Sequence, residues 1–202
     1  MIFSSGSEFF EVESGKMLSE KSRKRLLEIA RKSAEAAVMR RPRPQFTETD
    51  PSLTGKQGAF VTLKNGEDLR GCLGNFKSDR PLYELVAEMA TASATEDPRF
   101  FGNPIRPSEL ARICIEISVL SPLEKIANPL DIELGKHGIH IQRGWASGCF
   151  LPQVATETGW TKEEFLSHCC GGKAGLSADA WKRPGTDVYV FTAEVFGEER
   201  PL

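Results

Sequence analysis

Gly58-Ala59-Phe60-Val61-Thr62-Leu63-Lys64-Asn65-Gly66-Glu67-Asp68-Leu69-Arg70-Gly71-Cys72-Leu73-Gly74 is the stretch on which the fold turns. Gly58–Lys64 holds Phe60, Val61 and Leu63 in a run of β-formers and reads as a strand. Asn65-Gly66 is the strongest short hairpin signal, since a type I′ turn needs positive φ at both central residues. The chain returns along Asp68–Gly74, where Gly71 and Gly74 flank Cys72-Leu73. Two glycines weaken a plain strand and predict a bulge or a close backbone approach.

Upstream, Ser19 is a cap for a helix running to about Arg40, with Leu26, Leu27, Ala30, Ala34, Ala37 and Val38 at helical spacing. Arg41-Pro42-Arg43-Pro44 ends it, because the residue before proline is pushed out of helical space. Residues 1–18 read as a loosely attached arm with Phe9, Phe10 and Val12 as docking points, and 19–202 as one domain. Downstream, Pro81 opens a helix along Leu82, Leu85, Val86, Met89, Ala90 and Ser93. In Ile113–Leu120, Ile113, Ile115, Ile117 and Val119 alternate with Cys114, Glu116 and Ser118, the pattern of a half-buried strand. A short helix near Pro129–Leu134 and a hairpin of Gly138–Gln142 with Cys149–Leu151 follow. Thr161-Lys162-Glu163-Glu164 is a capping box opening a helix to about Gly172. A last strand spans Asp187–Phe196. Helices and hairpins mix without regular strand–helix alternation, so the fold class is α+β, a mixed or antiparallel sheet with flanking helices.

Composition narrows the function. The 202 residues carry 26 basic and 28 acidic side chains, a formal charge of −2, with 40% aliphatic, aromatic or Cys residues. That is a globular composition, outside the low-hydrophobicity, high-charge regime of disorder. The balance gives no global electrostatic reason to bind nucleic acid or anionic membrane. No stretch approaches the roughly 18 apolar residues of a membrane span. The N-terminus lacks the basic and apolar regions of a secretory signal, and five cysteines without framework spacing argue against a disulfide scaffold. A reduced, cytoplasmic protein is expected. Gly-x-Gly-x-x-Gly and phosphate-loop patterns are absent, and no cofactor is expected. Neither Cys-x-x-Cys nor His-x-x-x-His spacing supports a metal site near His168, Cys169 and Cys170.

Leu69-Arg70-Gly71-Cys72-Leu73-Gly74 resembles the signature hexapeptide of the AMMECR-type domain family, named for the Alport syndrome, midface hypoplasia and elliptocytosis chromosomal region. The similarity continues in order through Asp97-Pro98-Arg99-Phe100, Ile115–Pro122, Phe150-Leu151-Pro152-Gln153-Val154, Glu164-Phe165-Leu166, Lys173-Ala174-Gly175-Leu176 and Trp181. Cys149 departs from the pattern, which has Thr there, and Cys169-Cys170-Gly171-Gly172 is longer and richer in Gly. The resemblance implies one α+β unit with a larger and a smaller lobe and a cleft beside the hexapeptide, in a widespread intracellular family without an established reaction. It also implies a Memo-type dioxygenase-like partner.

Five residues are candidates for the site. Cys72 is the nucleophile candidate, since a cation lowers a thiol's pKa and Arg70, two residues away on a regular strand, shares its face. Its alternative role is core packing. Arg70 is the candidate to grip carboxylate or phosphate in bidentate fashion, against an internal ion pair such as one with Glu116. Gly71 and Gly74 leave room for a ligand or another backbone. Trp145, in the turn of the second hairpin, is a binding anchor or a cover for the core. The expected activity is binding of, or chemistry on, a small molecule or peptide beside Arg70–Gly74. The alternative is a non-catalytic scaffold that holds a protein segment.

Overall fold

Ser19 does cap the first helix, its hydroxyl accepting from the Ser22 N–H, and α1 spans Glu20–Val38. The computed structural model describes residues 17–199; Phe9, Phe10 and Val12 lie outside the described residues. A short helix α2 (Pro51–Thr54) precedes β1 (Gly58–Asn65) and β2 (Asp68–Asn75), and α3 spans Leu82–Thr95. A 3-10 segment (Pro107–Arg112) leads into β3 (Ile113–Leu120). These strands form an antiparallel sheet in the order β2-β1-β3, extended by the chain's last strand. Leu26 and Ile29 of α1, Leu85 and Val86 of α3, and Val61, Leu63, Ile115 and Ile117 of the sheet are all fully or almost fully buried in one cluster. Burial of each such side chain contributes roughly 1.5–3 kcal/mol, so the alternation in β3 is the seam on which the helices sit.

α3 is held on the hairpin by a buried polar clasp. Ser93 Oγ accepts from the Leu73 N–H and donates to the Val61 carbonyl, both at 2.8 Å. The close approach is possible because Gly71 has no side chain: a Cβ there would stand 1.9 Å from the Ser93 carbonyl oxygen.

A second antiparallel sheet follows, in the order β4-β7-β5-β6. Its strands are β4 (Glu124–Lys125), β5 (Gly138–Arg143), β6 (Ala146–Phe150) and β7 (Asp187–Phe191), and it is covered by α4 (Pro152–Thr158) and α5 (Lys162–Gly172). Ile139, Ile141, Phe165, Leu166, Val188 and Trp181 belong to its core. The capping box at Thr161 forms with Glu164 as its spacing requires. α4 is absent from the sequence reading, although Pro152 opens it and Gly159, at φ 67°, closes it.

Three expectations are corrected. The hairpin turn is centred on Gly66-Glu67, since Asn65 pairs with Asp68. Gly66 has φ 63° while Glu67 stays at negative φ, which is the φ pattern of type II′, where Gly takes the first central position. Pro129–Leu134 is only a 3-10 turn, Pro129–Asp131. The run Asp187–Phe196 is not one strand. It is β7 in the second sheet and β8 (Ala193–Gly197), which pairs with β3 in the first.

The break at Thr192 is where the chain crosses between lobes. The outward crossing, after β3, passes through Ser121. Its N–H donates to the Thr192 carbonyl at 2.9 Å, and the Thr192 N–H donates to Ser121 Oγ at 2.9 Å. β8 is then tied to α1 by Arg23 with Glu194 and Arg31 with Glu198. Leu18, at the end of the expected arm, is buried and donates its N–H to Glu194.

The two glycines of the hairpin should fail differently. Gly66→Val places a β-branched residue at positive φ in open space and should cost about 1–2 kcal/mol. Gly71→Ala forces α3 off the sheet and should cost at least the upper part of the roughly 1–3 kcal/mol range of overpacking. Chemical denaturation of both variants checks the order; equal losses would count against the Ser93 clasp.

Candidate functional site

The predicted bulge is present and decides where the hexapeptide's side chains go. Leu63 pairs with Gly71 but Lys64 pairs with Leu69, so Arg70 is the extra residue. A bulge interrupts the alternation of faces, and the Arg70–Cys72 relation expected of a regular strand does not carry over. Cys72 lies opposite Thr62, whose hydroxyl donates to Cys72 Sγ at 3.2 Å.

β2 is an edge strand, and an exposed edge needs partners for its backbone groups. At Cys72 they come from Asp97 and Arg99 on the turn after α3. The Cys72 N–H donates to Asp97 Oδ2 at 2.9 Å, and Arg99 donates to the Cys72 carbonyl at 3.1 Å. The Asp97 and Arg99 side chains are joined by two bonds, at 2.9 Å and 2.6 Å. The Asp97 side chain is only 2% exposed, whereas that of Arg99 is 51% exposed. The Arg99 guanidinium beside it, together with the Cys72 N–H, holds the Asp97 carboxyl below the usual carboxylate range. Arg99 is raised in turn, chiefly by Asp97 and to a lesser degree by the Cys72 side chain. The cation beside Cys72 is therefore Arg99. Arg99 was not among the site candidates drawn from the sequence, where Asp97-Pro98-Arg99-Phe100 stood only as a block of the family pattern; the available signal was a paired acid and base around a proline.

Arg70 is instead buried at the floor of a cavity of about 640 Å³ that Arg106, Arg112 and Asn103 also line. Its Nε meets Glu109 at 3.3 Å, and it donates to the Asn103 carbonyl at 3.2 Å. Its guanidinium faces the Phe100 ring at 5.9 Å. The internal ion pair has Glu109 rather than Glu116 as partner; Glu116 pairs with Lys64. The space at the two glycines is taken by the protein itself. A Cβ on Gly71 would meet Ser93, and one on Gly74 would lie 2.4 Å from the Ala59 carbonyl and the Phe60 ring.

Across the lobe junction, the sheet face that carries Cys72 meets the face that carries His140 and Cys149. Phe76, just past β2, packs its ring 5.1 Å from His140 and 5.4 Å from Phe191. His140 also meets Tyr189, and it pairs directly with Cys149 across β5 and β6. Burial pushes the Cys149 thiol up to about 11; Lys173 pulls it down, and charge on Cys72 adds to the rise. His168 does not join them: its ring stacks on Trp160 at 4.1 Å. Among the described residues no group of three or more His, Cys, Asp or Glu is placed to hold a metal ion, and no helix is long and apolar enough to cross a membrane. Trp145 stands fully exposed at the tip of the β5–β6 hairpin.

Since the Arg70 side chain is 8% exposed and that of Glu109 is 17% exposed, Arg70→Ala should destabilise the fold by about 3 kcal/mol, the lower end for breaking a buried pair. A denaturation midpoint unchanged in Arg70→Ala would show that Arg70 is free to serve a ligand instead.

The AMMECR1 family model matches residues 27–196. The chain is 49% identical over 158 residues to the protein MK0488 of Methanopyrus kandleri, covering 74% of this chain and 75% of that one. To a protein of Thermococcus gammatolerans it is 43% identical over 187 residues, covering 87% and 90%. The crystal structure of the uncharacterized protein PH0010 from Pyrococcus horikoshii superposes with a TM-score of 0.78 at 39% identity, covering 87% of this chain and 91% of that one. The two-sheet fold, the hexapeptide on its bulged edge strand and these matches lead to one assignment: the chain belongs to the AMMECR1 family.

Proposed function

We propose that the lobe junction beside Leu69–Gly74 binds a small anionic molecule, with Arg99 gripping a carboxylate or phosphate and presenting it to the Cys72 thiol. The observation that carries this reading is the asymmetry of the Asp97–Arg99 pair. Buried Asp97 fixes one edge of the guanidinium, and half of the Arg99 side chain stays open to solvent next to Cys72. A guanidinium held on one edge is preorganised, so little further freedom is lost when it takes an anion. Thr62 supplies a hydroxyl donor that orients the sulfur. Arg70 serves this site by holding the bulge, and Gly71 and Gly74 by letting α3 and β1 approach.

A second reading, a scaffold acting with a Memo-type protein, is favoured by one observation: Trp145 is fully exposed at a hairpin tip. Aromatic residues presented this way are common anchors of protein interfaces.

Two alkylating agents test the first reading. Iodoacetate carries a carboxylate and iodoacetamide does not; both transfer a carbon to sulfur and release iodide. Cys72 should prefer iodoacetate by about tenfold, the effect of roughly 1.4 kcal/mol of charge-assisted binding. Arg99→Gln should erase that preference while leaving labelling by iodoacetamide. No labelling of Cys72 by either agent before unfolding overturns the proposal. Capture of a Memo-type protein that is lost in Trp145→Ala and kept in Arg99→Gln is the outcome that favours the scaffold.

A further inference from the structure

We propose that Cys72 and Cys149 are a redox pair that closes a reversible disulfide across the lobe junction when a hydroperoxide oxidises Cys72. The placement carries the inference. Cys72 sits on β2 and Cys149 on β6, in different sheets and different lobes. The two sheet faces meet through Phe76, whose ring contacts both Phe191 and His140, the residue directly across from Cys149. Residues directly opposite on paired strands share a face, so Cys149 looks out of its sheet on the His140 side, toward the face that carries Cys72 and Thr62. Both thiols are only partly buried, while Cys169, behind Cys149, is fully buried.

The environments divide the labour. Cys72 has a fixed cation, Arg99, and a hydroxyl donor, Thr62, the setting that favours attack on a peroxide. Its sulfur bonds to the distal peroxide oxygen, the O–O bond breaks, and the leaving oxygen carries away the electron pair and takes a proton, leaving sulfenic acid at Cys72. Cys149 has the opposite surroundings: burial keeps it protonated and unreactive by itself. It does have a base beside it, for His140 Nδ1 is buried with no hydrogen-bond partner among the described residues, and burial holds the ring neutral. Cys149 Sγ can then attack the Cys72 sulfur. The S–S bond forms and the S–O bond breaks. The hydroxide leaves with the proton that His140 took from Cys149, as water. Two thiols and one hydroperoxide give a disulfide and two small oxygen products, and two electrons pass to the peroxide. The consequence is mechanical: the lobes, joined on one side by the Ser121–Thr192 crossing, become joined on the other.

The proposal shares Cys72 with the anion-binding reading but does not use Arg99 as a ligand for substrate, so Arg99→Gln separates the two. Reduced full-length protein is treated with hydrogen peroxide and mapped under non-reducing conditions by mass spectrometry. The expected result is a linked peptide joining Cys72 and Cys149 within one chain, lost on addition of dithiothreitol. It should be absent in Cys149→Thr, where dimedone should instead trap Cys72 as the sulfenic acid. Arg99→Gln should form the link more slowly, for want of the cation beside Cys72, while its preference for iodoacetate is lost altogether. Hydrogen exchange around Ser121 and Thr192 should slow severalfold in the oxidised protein. A wild-type Cys72 that passes to sulfinic acid as fast as in Cys149→Thr, or a link from Cys149 to Cys169 instead, overturns the proposal.

Discussion

The reciprocal hydrogen bonds between Ser121 and Thr192 are the constraint on which the molecule's shape depends. The chain leaves the first sheet after β3 and returns to it as β8, next to β3, so everything between is an insertion hung from two adjacent backbone crossings. Such an insertion must fold on its own core, and it does, around Phe165, Ile139 and Val188. The first sheet needs β8 to cover the edge of β3, and the ion pairs of Arg23 and Arg31 hold β8 on α1. Between the two bodies, Phe60, Phe76, Phe191 and His140 form a small aromatic cluster beside the proposed site.

Within that junction the bulge at Arg70 sets the chemistry. Without it, Arg70 and Cys72 would alternate onto the same face, and the hexapeptide would place its guanidinium beside its own thiol. With it, Arg70 becomes a buried partner of Glu109, and the cation beside Cys72 is supplied by Arg99. The edge of β2 is completed by a side-chain pair instead of a strand, which leaves the outer side of that pair facing solvent. An edge that would otherwise invite strand pairing is converted into a charged, directional surface.

Much of this was legible in the sequence, and the limits are physical. Elements with local signatures were found almost residue for residue: Ser19 capping α1, the Thr161–Glu164 box opening α5, and the period-two run of β3. The bulge was predicted from Gly71 and Gly74, and the structure shows that the close neighbours those glycines admit are Ser93 and Phe60. What failed was decided by tertiary pairing. Asp187–Phe196 has the composition of one strand, and the lobe crossing at Thr192 splits it between two sheets. A type I′ turn was expected because Asn-Gly suits it, but the register placed Gly66-Glu67 at the centre. Arg99 was missed as a site residue because its role depends on an edge strand far away in sequence.

The contrast between Cys72 and Cys149 shows why the family pattern alone does not describe this chain's site. A thiol's chemistry is set by the balance of desolvation against nearby charge. Cys72 is framed by Thr62 and Arg99 on a polar edge; Cys149 lies deeper, where burial dominates and Lys173 offsets it only in part. A Thr at position 149 would give the junction a second hydroxyl, able to hydrogen-bond but not to exchange electrons. Cys149 instead offers a thiol able, on the proposed chemistry, to bond covalently to Cys72, across the strand pair from a buried imidazole nitrogen with no hydrogen-bond partner among the described residues. On the proposed chemistry the junction acquires an oxidised state from a single position, while the ion pairs and the Ser93 clasp that hold the hexapeptide in place are left unchanged.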